Sequence, residues 1–242
     1  MSLFVEAVFA NERKEMSEQP TSLEDVKKYA LGEWESLAIE LRPTEDRTGS
    51  GKITPTYLRR HFTFEEADKF TGVITMFADD YGEAPTMEFE FKGDLKWGGV
   101  HPIANGAWSI DYVLAEGFSV TPLHEQTAQL LNQGRPNGIA PFKVGQKADI
   151  LKKAFPLFQI VEGQVVSDYD LIYFSHGLLF MGAKHVDGTP FDKPERRPHQ
   201  LQIPLQRKPR QRTEKSGERY ETRTQMVVVY RPCILNSMDD CL

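Results

Sequence analysis

The sequence predicts an all-β protein with two or three short helices, in which short strands form an antiparallel barrel or sandwich. Apolar and polar residues alternate with period two in runs such as "TYLRRHFTFE" (56–65) and "TMEFEFKG" (86–93). Most of these runs end at clusters of Gly, Asp, Asn or Pro, and few helical stretches separate them. The 242 residues are enough for one domain with a sizeable core.

Two segments carry the start and stop signals of helices. "TSLEDVKKYALGEW" has Thr21 or Ser22 as a cap and stops at Gly32. "TPLHEQTAQLLNQG" has Thr121 as its cap, with Pro122 at the first helical position and Gly134 as a stop. The predicted strands surround these helices and occupy residues 34–43, 56–65, 68–80, 86–97, 106–122, 168–184, 199–206 and 224–232.

The length and the all-β pattern predict one main domain between two short terminal segments. We expect a single barrel domain over residues 21–236, after a flexible or docking segment at 1–20 and before a tail at 237–242. Within it, residues 207–222 form a predicted basic loop. The formal net charge of −6 offers no field for a polyanion, so no nucleic-acid partner is expected.

The location signals favour the cytoplasm. No apolar run has the length of a membrane span, so no stable membrane insertion is expected. The N-terminal apolar patch lacks a basic stretch before it, which does not match a signal peptide. The only two cysteines, Cys233 and Cys241, cannot supply a disulfide framework, as is typical of a reducing compartment.

One predicted strand carries ionisable and aromatic side chains on the same face. In "TYLRRHFTFE" the alternation puts Tyr57, Arg59 and His61 on one face, and Arg60 with the apolar residues on the other. Since the apolar face must be covered, the face with His61 is left for water or for a polar lumen. An ordinary exposed strand and a catalytic patch are the two alternatives.

A second strand offers paired carboxylates. In "TMEFEFKG" the apolar residues point one way, while Glu88 and Glu90 point the other. The two glutamates form either a solvated polar face or, if they point inward, a pair of buried carboxylates able to act as acid and base.

No cofactor or metal site is predicted. The chain has no Gly-rich phosphate loop and no GKS or GKT motif. His101, His176 and His185 do not pair at a spacing that defines a metal site, so structural or exposed roles are expected for them.

Five runs together resemble one family of proteins. Their order along the chain, and motifs such as Trp34 with Arg42-Pro43, are similar to those of the repeated domain of the adenomatosis polyposis coli down-regulated proteins. These proteins are membrane-anchored antagonists of Wnt signalling. The resemblance covers roughly residues 30–206. The runs are "WESLAIELRP", "LRRHFTF", "APTMEFEFKG", "FSVTPLHEQTAQLLN" and "LLFMGAKHVDGTPFDKPERRPHQLQIPL".

The resemblance implies a closed or nearly closed antiparallel β-barrel with a large apolar cavity that accepts a lipid acyl chain. "LGEW" is also similar to the Gly-x-Trp opening of lipocalin-type (calycin) barrels, in which the tryptophan plugs the base. Family members carry two barrels stapled by disulfides, whereas here Ile39 occupies a cysteine position. The departure favours a single, cysteine-poor, intracellular relative over a Wnt antagonist.

Two functions of different classes are therefore predicted. The first is a barrel that encloses a hydrophobic or amphipathic small molecule or lipid, lined by Phe62, Phe64, Met76, Phe89, Phe91, Trp108 and Tyr112. The alternative is a cofactor-independent cyclase, isomerase or dehydratase of secondary metabolism in the same cavity. Its candidate acid–base residues are Tyr57, Arg59, His61, Glu88 and Glu90, with His101 and Tyr112 behind them. A third, weaker interpretation is an interaction module whose basic segment docks on an acidic partner.

Overall fold

A computed structural model describes residues 20–45 and 50–209, and these residues fold mainly into one antiparallel sheet. The mainly β, antiparallel architecture with few helices is thereby confirmed. The described part contains two α-helices, α1 (Leu23–Ala30) and α2 (Glu125–Gln133), and two short 3₁₀ helices. Its ten strands are β1 (Gly32–Ser36), β2 (Glu40–Glu45), β3 (Ile53–Glu65), β4 (Lys69–Phe77), β5 (Pro85–Val100), β6 (Trp108–Pro122), β7 (Ala148–Asp149), β8 (Ser167–Ser175), β9 (Leu178–Met181) and β10 (Leu205–Arg207).

The sheet closes into a ring through β1. Its strands are hydrogen-bonded in the order β1-β10-β9-β8-β6-β5-β4-β3-β2, and β1 also pairs with β3. Trp34 of β1 lies opposite Arg207 on one side and opposite Phe62 on the other. Eight strands therefore complete the ring, while β2 extends the far half of β3 and β7 pairs with β6.

Two predicted runs divide into pairs of strands. "WESLAIELRP" bends after Ser36, so that β1 pairs with the last part of β3 and β2 with its first part. "DYDLIYFSHGLLFMGAK" turns back on itself at His176 and Gly177, whose φ angles of 52° and 76° are those of a tight hairpin turn. Because of these bends, each of the two runs supplies two strands of the sheet.

The first predicted helix is confirmed and closes one end of the ring. Ser22 is its N-cap, and the Ser22 hydroxyl accepts a hydrogen bond from the Asp25 amide at 3.2 Å. The helix buries Val26 and Ala30. The carbonyl of Ala30 accepts from Nε1 of Trp34 at 2.7 Å, which joins the helix to the ring at the end that we call the base.

The predicted start of the second helix is wrong. Thr121 and Pro122 still belong to β6, where they lie opposite Glu88 and Met87 of β5. The helix begins three residues later, and its cap is His124, whose Nδ1 accepts from an amide of the first turn. The sheet pairing outweighs the local Thr-Pro signal. The predicted stop at Gly134 is confirmed as the C-cap.

Cross-strand pairing determines which side chains fill the ring. Phe62 and Phe91 both lie opposite Gly72, so the two rings point to the same side and their centroids are 5.6 Å apart. β5 has a bulge at Gly93, where it approaches β6 closely. Glycine permits this approach, because a Cβ there would lie 1.9 Å from the Val113 carbonyl oxygen. The core occupies this inner side of the sheet.

Several predictions lie outside the described residues. They are the N-terminal segment up to residue 19, the basic loop from residue 210 onward, the strand at 224–232 and the tail at 237–242. Arg207, predicted as the start of the basic loop, is the last residue of β10. Over the described residues, neither helix has the length and apolar character needed to cross a membrane.

Candidate functional site

Three predicted catalytic residues lie on the outer face of β3. Arg59 is exposed, and Tyr57 and His61 are partly exposed. Nε2 of His61 lies 3.1 Å from Oε2 of Glu33 on β1. The face is directed away from the interior, because the alternate side chains of β3, including Phe62, are buried inside the ring.

The two predicted glutamates lie on the same outer surface. Glu88 accepts a hydrogen bond from the Thr75 hydroxyl at 3.3 Å, and Glu90 pairs with Lys147 at 2.5 Å. The register aligns Arg59 with Glu88 and His61 with Glu90, but β4 runs between the members of each pair. The five residues thus share a surface without converging on a cavity.

The seven predicted ligand-binding residues all lie on the inner face of the sheet. Four are buried: Phe62, Phe64, Phe89 and Tyr112. Three are partly accessible and pack against the core: Met76, Phe91 and Trp108. The ring of Tyr112 contacts three buried phenylalanines, with centroid distances of 5.9 Å to Phe62, 6.3 Å to Phe64 and 5.0 Å to Phe70.

Part of the interior is apolar and still accessible. Ile74, Met76, Met87 and Phe91 are all partly accessible although they lie on the inner face, and we call these four the inner wall. Met76 and Met87 lie directly opposite each other on β4 and β5. Phe158, which is 37% exposed, contacts Phe89, the inner-face residue between Met87 and Phe91.

The far end of the ring is covered by the segment between β6 and β8. The ring of Phe158 in this segment is tilted against that of Phe89, at a centroid distance of 4.8 Å, and is nearly parallel to that of Phe118 at 6.3 Å. Phe155 packs against Phe158 at 5.6 Å, and Phe142 packs against Phe155 at 6.4 Å. The inner wall therefore lies between this aromatic cover and the buried aromatic layer around Tyr112.

The base of the ring is closed by a buried tryptophan. Trp34 is fully buried, and the guanidinium carbon of Arg207 lies 4.2 Å from the centroid of its ring. The same guanidinium donates hydrogen bonds to the carbonyls of Tyr29 and Leu31 at the end of α1. Arg207 thus joins the last described strand to the helix and to the first strand by a cation–π contact and hydrogen bonds.

A buried ion pair lies inside the ring. Nε of Arg60 donates to Oε1 of Glu40 at 2.7 Å, and these side chains are 2% and 1% exposed. The hydroxyl of Ser36 donates to the same oxygen at 2.6 Å. Arg60 also donates to the Ile203 carbonyl at 2.6 Å and to the sulfur of Met181 at 3.4 Å. Because these partners come from distant segments, the pair ties several strands together.

The environment of Arg60 opposes its charge. Burial lowers the pKa of the guanidinium from its ordinary value, the nearby Arg42 lowers it further, and the carboxylate of Glu40 counteracts both. Arg42 itself donates to the other oxygen of Glu40 at 2.9 Å. Glu40 is therefore shared by two arginines.

A second acidic side chain, Asp170, is buried on the inner face. Its Oδ1 accepts from the amides of Leu171 at 2.7 Å and Gly182 at 2.8 Å, while Oδ2 has no hydrogen-bond partner. Burial raises the pKa of Asp170 to about 6, against the lowering effect of Lys184. The hydroxyl of Tyr112 is likewise unpartnered, and burial followed by the charge of Asp170 raises its pKa well above the usual value.

A pocket of about 210 Å³ opens beside the base, away from the ion pair. It lies between α1, the turn from β3 to β4 and the middle of β5, with Phe64 and Leu95 among its apolar residues. At its edge Asp68 accepts from Lys27 at 2.9 Å and from Nε1 of Trp97 at 2.9 Å. No residue of the inner wall lines this pocket.

The histidines occupy structural or surface positions. Nδ1 of His101 is buried and accepts from the amides of Ala104 at 2.9 Å and Ile103 at 3.2 Å, which shapes the loop between β5 and β6. Within residues 20–45 and 50–209, no three His, Cys, Asp or Glu side chains converge as they would around a metal ion.

The sequence-based prediction did not select the buried charges. Alternation places Arg60 on the apolar face of β3, and the predicted site residues include neither Arg60 nor Glu40 nor Asp170. A signal was present, because Asp170 alternates with Ile172 and Phe174, which places a carboxylate on an apolar face. A charge at an apolar position predicts a buried partner, although the partner itself is not visible in the sequence.

No family model matches the chain, and a search of curated proteins returns no match. The resemblance to the repeated domain of the Wnt antagonists therefore stays a prediction.

Proposed function

We propose that the protein is a lipocalin-like β-barrel that binds a hydrophobic or amphipathic small molecule or lipid inside the ring. The observation that carries this proposal is the inner wall, where four apolar side chains of two neighbouring strands stay partly accessible on the inner face. Core side chains of a filled barrel are packed and inaccessible, as Phe62 and Phe70 are here. Accessible apolar surface inside a closed sheet is typical of a ligand site.

The closure of the sheet supports the same proposal. β1 pairs on both sides, so the ring has no open seam along this strand. Trp34 of the Gly-x-Trp motif lies buried at the base, as the similarity to lipocalin-type barrels implies. A closed base directs ligand entry to the opposite end, where Phe158 is exposed beside Phe89.

The expected binding energy comes from apolar burial. A ligand that covers roughly 200 Å² of apolar surface gains about 5 kcal/mol before the cost of association. A long alkyl chain that fills more of the interior gains more, and its mobility inside the site reduces the entropic cost. Moderate affinity for alkyl chains and similar molecules is therefore expected.

Displacement of a fluorescent polyene fatty acid tests the proposal. Ile74→Trp places a bulky ring on the inner wall and is expected to weaken probe binding at least about tenfold, equivalent to 1.4 kcal/mol. The matched control is Val73→Trp, the neighbouring position on β4 that points outward. It is expected to leave binding within about twofold.

A second variant guards against misfolding. If Ile74→Trp unfolds, as judged by circular dichroism, Met87→Trp fills the wall from β5 instead. The proposal is overturned if the wild-type protein binds neither the probe nor any apolar ligand detectable by native mass spectrometry. Equal weakening by the inward and outward tryptophans would also contradict it.

The enzyme alternative stays a prediction. Its five candidate residues lie on the outer face, where solvent reaches them, so they do not line the inner wall. A substrate held inside the ring would meet Tyr112 and Asp170 as ionisable groups with free oxygen atoms. Alanine at His61 or Glu88 that reduced turnover of a recovered ligand would restore the catalytic interpretation.

A further inference from the structure

Three buried side-chain oxygens lack a hydrogen-bond partner within the described residues. They are the hydroxyl of Tyr112, Oδ2 of Asp170 and Oε1 of Gln202. Buried polar atoms are nearly always satisfied, because leaving one unpaired forfeits the hydrogen bond that it made with water. Two of these atoms belong to side chains on the inner face of neighbouring strands, which points to a shared partner.

Tyr112 and Asp170 lie near each other across the pairing of β6 and β8. Asp170 lies opposite Ile110, and Tyr112 lies opposite Asp168, so the two residues are diagonal neighbours on one face. Consistent with this placement, each is 2% exposed or less. The charge of Asp170 also acts on the phenol of Tyr112.

The unpartnered oxygen of Asp170 is held in a fixed orientation. Its other oxygen accepts from the amides of Leu171 and Gly182. The backbone of Gly182 can approach because it lacks a Cβ, which would lie 2.4 Å from Oδ1. The carboxylate of Asp170 is thus a hydrogen-bond acceptor in a fixed position, because one oxygen is bonded to the backbone and the other is free.

The aromatic layer connects this pair to the inner wall. The ring of Tyr112 contacts Phe62 and Phe70, and both of these contact Phe91 of the inner wall at 5.6 and 6.2 Å. An alkyl chain lying on the wall therefore needs to displace only one layer of rings to bring its end to Tyr112.

The charges favour a neutral hydrogen-bond donor over an anion. Arg60, the cation that acts on both Asp170 and Tyr112, is already engaged by Glu40, Ile203 and Met181. Lys184, which also acts on Asp170, pairs with Asp168 at 2.6 Å. Neither of these cations is therefore free to compensate a buried carboxylate of a ligand beside Asp170. A hydroxyl fits, because it can donate to Oδ2 of Asp170 and accept from the phenol of Tyr112.

We propose that Tyr112 and Asp170 form a polar anchor for the hydroxyl group of an apolar alcohol whose chain lies on the inner wall. The anchor rests on the proposed function, since the wall must bind the chain. It adds a selectivity that an apolar wall alone does not have: alcohols bind more tightly than ethers or carboxylates of the same chain length.

Competition among three matched ligands tests the anchor. Each of 1-decanol, methyl decyl ether and decanoate displaces the fluorescent polyene from the full-length protein. The alcohol is expected to bind about tenfold more tightly than the ether, which cannot donate, and than the anion. Asp170→Asn removes the acceptor that only the alcohol can use, so it is expected to abolish most of this preference. Tyr112→Phe is expected to weaken binding of the alcohol. Tyr173→Phe, which changes a partly exposed tyrosine of β8, is the matched control and should preserve the preference.

Stability measurements separate an anchor from a structural role. Because its hydroxyl is unpartnered, Tyr112→Phe is expected to melt at the same temperature as the wild type or higher without ligand, and to lose the extra stabilisation by decanol. Equal affinity of the wild type for the alcohol and the ether overturns the anchor but leaves the wall. An undiminished preference for the alcohol in Asp170→Asn also overturns it. If none of the three ligands binds the wild type, the anchor and the proposed function both fail.

Discussion

Arg59 and Arg60 are neighbours on β3, yet they lie on opposite faces of the sheet. Arg59 is exposed, whereas Arg60 is 2% exposed and bonded to Glu40, Ile203 and Met181. On the outer face a charge keeps its water, so it needs no specific partner. On the inner face each charge needs partners from other segments. A charged side chain that points inward therefore bonds several segments together, whereas one that points outward, such as Arg59, does not need such bonds.

The same contrast holds for the carboxylates. Glu90 on the outer face pairs with Lys147, and these side chains are 38% and 53% exposed. Asp170 inside the ring has one oxygen bonded to backbone amides and one without a partner. The outer pair is screened by solvent, while the inner carboxylate carries the cost of its burial. The following experiments test this difference between the two faces.

The largest effect is expected from removing the buried cation. Arg60→Met leaves the buried carboxylate of Glu40 with the hydroxyl of Ser36 and the cation of Arg42, and should lower the free energy of unfolding by about 3–5 kcal/mol. Arg59→Met is the matched control and should change it by about 0.5 kcal/mol or less. Urea denaturation measures both. Similar losses for the two variants would show that the faces do not differ as described.

A pH-dependent effect is expected from Asp170. Its pKa is raised from 3.8 to about 6 in the folded protein. Between these values the folded state binds more protons than the unfolded state, so the contribution of Asp170 to stability falls as pH rises from 4 to 6. The full change is about 3 kcal/mol for a shift of roughly two pH units.

Asp170→Asn isolates this contribution. The amide oxygen can still accept from Leu171 and Gly182, but the side chain no longer titrates. The variant should gain stability relative to the wild type as pH rises through this window, measured by urea denaturation at several pH values. Asp187→Asn is the control: the amide of Thr189 lowers the pKa of that exposed carboxyl, so this variant should not show the gain. A constant difference between variant and wild type at all pH values would contradict the expectation.

A smaller effect is expected from adding a side chain at Gly182, where the backbone approaches Asp170. In Gly182→Ala the new Cβ would lie 2.0 Å from the Cγ of Pro198 and 2.4 Å from Oδ1 of Asp170. Because both atoms must move, a loss of about 1–3 kcal/mol is expected. Gly99→Ala adds a Cβ that meets nothing within 4 Å and should change thermal stability little. Equal melting temperatures of the two variants would mean that Asp170 is held less firmly than the hydrogen bonds indicate.

Much of the fold could be predicted from alternation, since the inner and outer residues of β3 and β5 follow the period of two. The same rule placed Arg60 on the apolar face. Its partner Glu40 could not be predicted, because the contact depends on the bend after Ser36 that separates β1 from β2. The start of α2 was missed for a similar reason, as the pairing of Thr121 with Glu88 is a long-range contact. The period of two therefore predicts on which face of a strand a side chain lies, whereas long-range strand pairing determines which residues it contacts.

The smallest effect is expected from the outer residues that the sequence suggested as catalytic. His61→Ala removes a partly exposed side chain whose contact with Glu33 at 3.1 Å is open to solvent. The free energy of unfolding should change by about 0.5 kcal/mol or less, and affinity for the polyene probe should stay within about twofold. Phe91→Ala, on the inner wall, should weaken probe binding much more because it removes apolar contact area. If His61→Ala weakened binding as strongly as Phe91→Ala, ligand binding would involve the outer face. The proposed division into a solvated outer face and a ligand-binding inner face would then be wrong.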